Sequence, residues 1–270
     1  MPLTSHLAGR GVLDVTLEQL GCALPWEAVY RVRPRPELSC TGCGRPMHAK
    51  VSGTGSRFFA HDRRSPACPA TGETEEHRSL KRALAAAART AGHHAELEVT
   101  AAHRGWRADV LATGPNGRRT ALEAQVSSAS LDDVLTRTRR YQDDEVDVVW
   151  FTHRATHWLN QVPAVRLRRP AAPHSSWTQT HELLSHFSVA CCSEVCQPSP
   201  PWHGPFHAGW SHATDTSLDE FVIDMLHGRL LPRTTTGPGT RYNGWTTPTD
   251  LQAAADYAAG TGAPTGTPWP

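Results

Sequence analysis

Two carboxylates in the stretch GWRADVLATGPNGRRTALEAQVS, Asp109 and Glu123, sit inside short apolar runs. A lone carboxylate is expensive to bury unless it is paired or binds a metal. The GPNG segment at 114–117 is strong turn chemistry, so the two runs read as a hairpin. Opposed hairpin positions lie within roughly 5 Å of each other, so Asp109 and Glu123 can share one divalent cation. Period two places Gln125 on the face of Glu123. Hard oxygen ligands suit Mg²⁺ or Mn²⁺, ions that stabilise the charge building on a phosphate during hydrolysis. On the preceding helix His77 and Lys81 are four apart and share a face, with Glu76 beside them. Edge charges or salt-bridge partners would explain the two carboxylates without a metal.

A second constellation is softer. Cys40 and Cys43 form a CxxC, followed by His61 and Cys68. Four such ligands close a tetrahedral structural Zn²⁺ site, with His48 as an alternative fourth ligand. Residues 33–73 hold too few large apolar side chains for a core without a staple, which is where such a site is needed. Four protein ligands leave no open position, so the role is structural. Arg31, Arg33, Arg35, Arg57, Arg63 and Arg64 surround it and could form a phosphate-binding arm or a solvated surface. A further group, His181, His186, Cys191, Cys192, Cys196, His203 and His207, offers C-x3-C-x6-H-x3-H for a second zinc, or equally buried thiols and surface histidines.

The elements that position these groups follow from pattern. Residues 74–90 read as a helix with Thr74 as N-cap, acidic residues in its first turn and Gly92 past its end. Extended stretches follow at 95–102, 106–113 and 119–127. A second helix at 130–144, capped by Ser130, precedes a buried strand at 146–152. Residues 12–32 read as a strand pair or a strand with a short helix. Beyond 153 the pattern weakens: one helix is expected at 217–230, one short Ala-rich helix near 250–259, and a flexible Thr-, Gly- and Pro-rich tail from 232. The formal charge of +1 gives no general pull towards nucleic acid, so any binding needs a local patch. Nearly all basic residues are arginine, with Lys50 and Lys81 the two lysines. No leader-like segment opens the chain and no apolar run reaches 18 residues, so a soluble, cytoplasmic protein without a membrane partner is expected.

The order helix, three strands, helix, strand with D…ExQ resembles the PD-(D/E)XK nuclease fold, and in detail the competence protein CoiA-like family. The resemblance rests on CTGC at 40–43, FFAH at 58–61, ETEEHRSLK at 73–81, RADV at 107–110, LEAQVSSAS at 122–130 and RTRRY at 137–141. It implies an α/β protein with a mixed sheet: a restriction-endonuclease-like αβββαβ core at 73–155, a zinc module at 1–72, an accessory region at 156–231 and the tail at 232–270. It further implies a nuclease-like core tied to recombination of incoming DNA, with DNA and other recombination proteins as partners. Asp109 and Glu123 take the metal positions, Glu76 or Glu73 is the helix carboxylate, His77 and Lys81 match the helix motif, and Gln125 stands where the fold usually has lysine. Glutamine can orient a water or a phosphate but is neither a useful base nor a cation. Lys81 is therefore the expected source of positive charge, and Trp106, Arg107 and Tyr141 are candidate substrate contacts. The rival expectation is a DNA-binding recombination accessory that has lost cutting, and a third is a zinc module that binds another protein.

Overall fold

The computed structural model describes residues 2–63, 65, 68, 73–169, 177–179, 184–191, 206–212, 216–236 and 240–261. The N-terminal part is a five-stranded antiparallel sheet in the order β2-β1-β3-β4-β5, built from β1 (Thr4–Leu7), β2 (Gly11–Asp14), β3 (Leu38–Ser39), β4 (Pro46–Val51) and β5 (Arg57–His61). Its small core gathers Leu13, Leu20, Trp26, Met47 and Phe59, with the cysteines Cys40 and Cys68 buried among them. The 12–32 segment supplies β2 and two 3-10 turns.

Next comes a six-stranded mixed sheet. Strands β6 (His94–Thr100), β7 (Arg107–Thr113) and β8 (Arg119–Ala124) run antiparallel in turn, and β9 (Val146–Thr152) lies parallel to β8. Beyond it β10 (Ala164–Arg168) is parallel to β9, and β11 (Thr178–Gln179) closes the edge. The β7–β8 hairpin forms as expected. Gly114 and Arg118 bond across it, and Gly117 takes φ +79°, a left-handed conformation that glycine adopts without a Cβ clash.

Helices cover both faces. Helix α1 (Glu75–Thr90) starts where the Thr74 hydroxyl accepts the His77 N–H, and its Ala-rich face lets Leu80, Leu84, Ala87 and Ala88 approach Leu97, Val110, Leu122, Val149 and Phe151 closely. Helix α2 (Leu131–Asp143), capped by Ser130, lays Val134, Thr138 and Tyr141 on the opposite face against Ala121, Val148 and Trp150. The i, i+4, i+7 spacing of those three residues forms the buried stripe. The flank of α1 is gripped by the N-terminal sheet: Arg78 lies over the Phe58 ring, Arg82 donates to the Arg57 carbonyl, and Arg89 pairs with Asp14 at 2.9 Å.

The C-terminal third departs from expectation. Helix α3 (Leu218–Leu226) opens with a Ser217–Glu220 capping box. Strands β12 (Ser185–Cys191) and β13 (Phe206–His212) pair antiparallel. Within the stretch expected as a flexible tail, the hairpin β14 (Leu231–Thr236) and β15 (Thr240–Thr246) forms instead, and the Ala-rich helix expected near 250–259 follows as α4 (Pro248–Thr261). Trp245 explains the order. Its ring meets Phe221 edge-on at 5.0 Å inside the main core, and its indole N–H donates to the Ala164 carbonyl at 2.9 Å. One buried aromatic with a satisfied polar handle anchors a segment whose composition otherwise argues for disorder.

Trp245→Ala is therefore expected to lower stability by about 3–5 kcal/mol, the usual cost of emptying a buried Trp site. A denaturant titration checks this, and an unchanged midpoint would show that the segment is not anchored there.

Candidate active site and zinc centre

The β7–β8 ladder runs from Thr113↔Arg119 to Val110↔Leu122 and then stops. Continued by one step it would pair Asp109 with Glu123. Instead Asp109 Oδ2 accepts the backbone N–H of Ala124 at 3.0 Å, so a side chain replaces the missing ladder bond where the strands part. The same oxygen takes His77 Nε2 at 3.1 Å, and the other imidazole nitrogen lies 3.4 Å from Glu73. Among the described residues no donor reaches Oδ1.

Glu123 is reached from the other face of the sheet. Its Oε1 accepts from Tyr141 and its Oε2 from Arg137, both on α2, and the carboxylate is fully buried. Arg137 also donates to Gln125 Oε1 at 3.1 Å and lies 4.5 Å from the centre of the Trp150 ring. The Gln125 amide nitrogen donates to the carbonyl and hydroxyl of Ser127. Sequence reasoning passed over Arg137, although its i, i+4 spacing to Tyr141 within RTRRY puts both on one helix face.

Lys81 lies deeper. It has 0% exposure, and its ammonium is shared by Glu73 and Glu98, the latter at 2.6 Å. Glu98 in turn accepts the Leu3 N–H at 3.1 Å and the Thr4 hydroxyl at 2.5 Å, and lies 3.4 Å from Arg107. It adopts φ +60°, a conformation unfavourable for a non-glycine residue and held here by those partners. A group without accessible surface cannot meet a docking phosphate unless the site opens, so the geometry fixes Lys81 as an internal counter-charge. Glu73, just ahead of α1, belongs to this network. Glu76 turns away to Arg169 at 2.6 Å and His153 at 3.8 Å.

The electrostatics follow the partners. Burial would push Asp109 up, but the adjacent His77 together with Lys81 and Arg137 holds it well below the usual carboxylate range. Burial opposes charge on His77, yet Asp109 raises its pKa. Burial raises Glu123 in spite of Arg137, with the neighbouring Asp109 adding to the shift. Burial also works against the Glu98 carboxylate, but Lys81 and Arg107 hold it down at about 2. Tyr141 is raised by burial and by Glu123, which keeps it a hydrogen-bond donor. Of the candidate substrate contacts, Trp106 packs on Tyr141 at 5.0 Å with its N–H on Asp144, Tyr141 is core, and Arg107 faces Glu98.

The soft ligands do come together. The ligand atoms of Cys40, Cys43, His61 and Cys68 all lie within 4.8 Å of one another. Sγ of Cys40 and Cys68 are 3.7 Å apart, close to the edge of about 3.8 Å of a tetrahedron with Zn–S near 2.3 Å. Gly44, at φ +71°, turns the chain so that its N–H reaches the Cys40 carbonyl at 2.8 Å, which folds Cys43 back beside Cys40. The group could hold zinc. His48, the alternative ligand, pairs with Asp62 at 2.8 Å instead, and Arg35 binds the same carboxylate. Arg57 is likewise occupied, over the Trp26 ring and 3.7 Å from Glu27, while Arg64 lies outside the described residues. Of the second Cys/His group, His181, Cys192, Cys196 and His203 are outside the described residues, as are the side chains of Cys191 and His207. His186 pairs with Asp250 at 3.0 Å.

Residues 73–183 match the family model of the competence protein CoiA nuclease-like domain. That stretch, less than half of the chain, is therefore similar to the CoiA nuclease-like domain. No curated protein and no solved structure matches it. The CoiA-like stretch contains Asp109, Glu123, Gln125 and both helices that hold them, while the cysteine centre precedes it. No helix among the described residues is long and apolar enough to cross a membrane.

Two outcomes are expected. Burial pushes the Cys43 thiol up, but the Arg45 backbone N–H and the His61, Cys68 and Cys40 side chains outweigh it and bring the pKa down to about 6. In the metal-free cluster a thiolate is then present at neutral pH, ready to take a zinc ion. One zinc per chain should be measured by elemental analysis at neutral pH and released on acidification as protons compete for the thiolates, and protein purified without chelator that carries no zinc would refute the assignment. Separately, Lys81→Ala leaves Glu98 buried beside a void and should cost about 3–5 kcal/mol, the scale for breaking a buried ion pair. A wild-type melting curve for that variant would contradict the sealed position.

Proposed function

We propose that this protein hydrolyses phosphodiester bonds in DNA, with Mg²⁺ or Mn²⁺ held by Asp109 and Glu123, during recombination or uptake of foreign DNA. The supporting observation is the pair of acidic residues at the point where β7 and β8 part, inside a CoiA nuclease-like domain. The donor set fits such an ion: hard oxygens from two strands, with Asp109 Oδ1 uncommitted and Glu123 available once Arg137 yields. When bound, the ion would activate water and offset charge on the phosphate.

The chain's own groups do the rest. Asp109 is fixed by Ala124 and His77, so its carboxylate cannot swing away from the strand end. His77 keeps a proton on Nε2 and donates it in a hydrogen bond to Asp109, and Glu73 fixes its other nitrogen. Gln125, held by Ser127 at its amide nitrogen and by Arg137 at its oxygen, orients water or phosphate after giving up one of those partners. In the net reaction the oxygen of one water bonds to phosphorus and the P–O bond to one sugar oxygen breaks. That sugar oxygen gains a proton, and the second proton leaves when the new phosphate monoester ionises. A zinc-bound N-terminal module is a structural support in this reading.

The second reading is a DNA-binding accessory with weak cutting or none. Gln125 supplies neither base nor charge, and Arg137 already neutralises Glu123. Single-stranded, duplex and branched DNA incubated with Mg²⁺, Mn²⁺ or EDTA separates the two. Metal-dependent cutting that falls by about 10²-fold or more in Asp109→Asn and Glu123→Gln, the scale of losing one electrostatic stabiliser, supports the nuclease. DNA binding with no cutting in any metal would establish the accessory role instead.

A further inference from the structure

Gln125 carries no charge, and Lys81 is sealed between two carboxylates, so positive charge able to reach a substrate must come from elsewhere. His77 is tied to Asp109 and Arg107 faces Glu98. Arg137 differs from these in position and access. Its guanidinium touches both Glu123 and Gln125, its side chain is 37% exposed, and it lies against the Trp150 face, which holds the planar group without consuming its donors. A guanidinium carries five donors in a fork that matches phosphate, and Arg137 uses one on each of Glu123 and Gln125.

The pairing with Glu123 also has a reason of its own. A fully buried carboxylate with no counter-charge is strongly unfavourable, so some cation must face Glu123 whenever a metal does not. Arg137 and a divalent ion therefore want the same oxygen.

We propose that Arg137 is an exchangeable cation that neutralises Glu123 in the free protein and, once a divalent ion takes that carboxylate, turns to the scissile phosphate while staying anchored on Gln125 and Trp150. This rests on the nuclease reading for its second half, whereas the competition for Glu123 stands independently of it. In the reaction Arg137 makes and breaks no covalent bond. It offsets negative charge on the non-bridging oxygens as water adds and the sugar oxygen departs.

The test uses the full chain and the variants Arg137→Lys and Arg137→Gln, chosen because Arg137→Ala leaves a cavity over Trp150. Melting curves select folded variants. The first readout is Mn²⁺ binding without DNA, by calorimetry or electron paramagnetic resonance. Arg137→Gln should bind Mn²⁺ several-fold more tightly than the native protein, because the competitor is gone, with Arg137→Lys in between. The second readout is cleavage, where kcat for Arg137→Gln should fall by about 10²–10³-fold, as for loss of one transition-state donor, with partial recovery in Arg137→Lys.

Weaker Mn²⁺ binding by folded Arg137→Gln would overturn the exchange and make Arg137 a clamp that shapes Glu123. Tighter binding with undiminished cutting would overturn its contact with phosphate. If the native protein cuts no DNA yet the order of Mn²⁺ affinities holds, the nuclease reading falls and the exchange stands. Absence of Mn²⁺ binding in every form refutes the exchange itself.

Discussion

A buried ammonium needs carboxylates around it, and Lys81 has two. Glu73 and Glu98 close over its Nζ in a region without solvent, and each also touches a different part of the molecule. Glu98 receives the Leu3 N–H and the Thr4 hydroxyl from the first strand of the N-terminal sheet, and Glu73 lies against His77, which holds Asp109. Removing one charge from such a cluster leaves another stranded at low dielectric, so these contacts form or fail together. The site therefore takes its shape from a charge network that no substrate needs to touch.

The same network links the two sheets. Thr41, inside the CxxC turn, lies 3.4 Å from Thr4, whose hydroxyl binds Glu98. The cysteine centre and the acidic site are consequently the two ends of one run of polar contacts through Lys81. Arg78, Arg82 and Arg89 of α1 reach Phe58, the Arg57 carbonyl and Asp14 of the N-terminal part as well, so the helix carrying His77 is also held from that flank. A zinc ion there would stabilise more than its own loops.

Placement of helices on both faces of the sheet explains why the two acidic residues differ although their strands adjoin. Asp109 is addressed by α1 and is held strongly acidic by His77 and more distant cations. Glu123 is addressed by α2 and keeps a raised proton affinity because it is buried and has Asp109 beside it. Environments that push two neighbouring carboxylates apart give them different parts to play.

Local rules made much of this legible in the sequence. Thr74 and Ser130 cap their helices because a hydroxyl meets orphan N–H groups, and GPNG turns where glycine tolerates positive φ. The spacing of Cys40, Cys43, His61 and Cys68 survives into three dimensions because a short antiparallel sheet returns His61 to the CxxC turn. The sequence could not show which cation meets which carboxylate. Helix spacing puts Lys81 on the face of His77 and Arg137 on the face of Tyr141, but depth is set by the element that closes over them: Lys81 is sealed by Glu73 and Glu98, and Arg137 is left at the rim. Nor could composition show the hairpin at 231–246, since Trp245 anchors it and one aromatic among Thr, Gly and Pro has no period. By itself the sequence determined the ligand types, the helix caps and the hairpin. Tertiary structure decided the charge pairing and the anchoring of the last elements, because both depend on long-range burial that neighbouring residues do not encode.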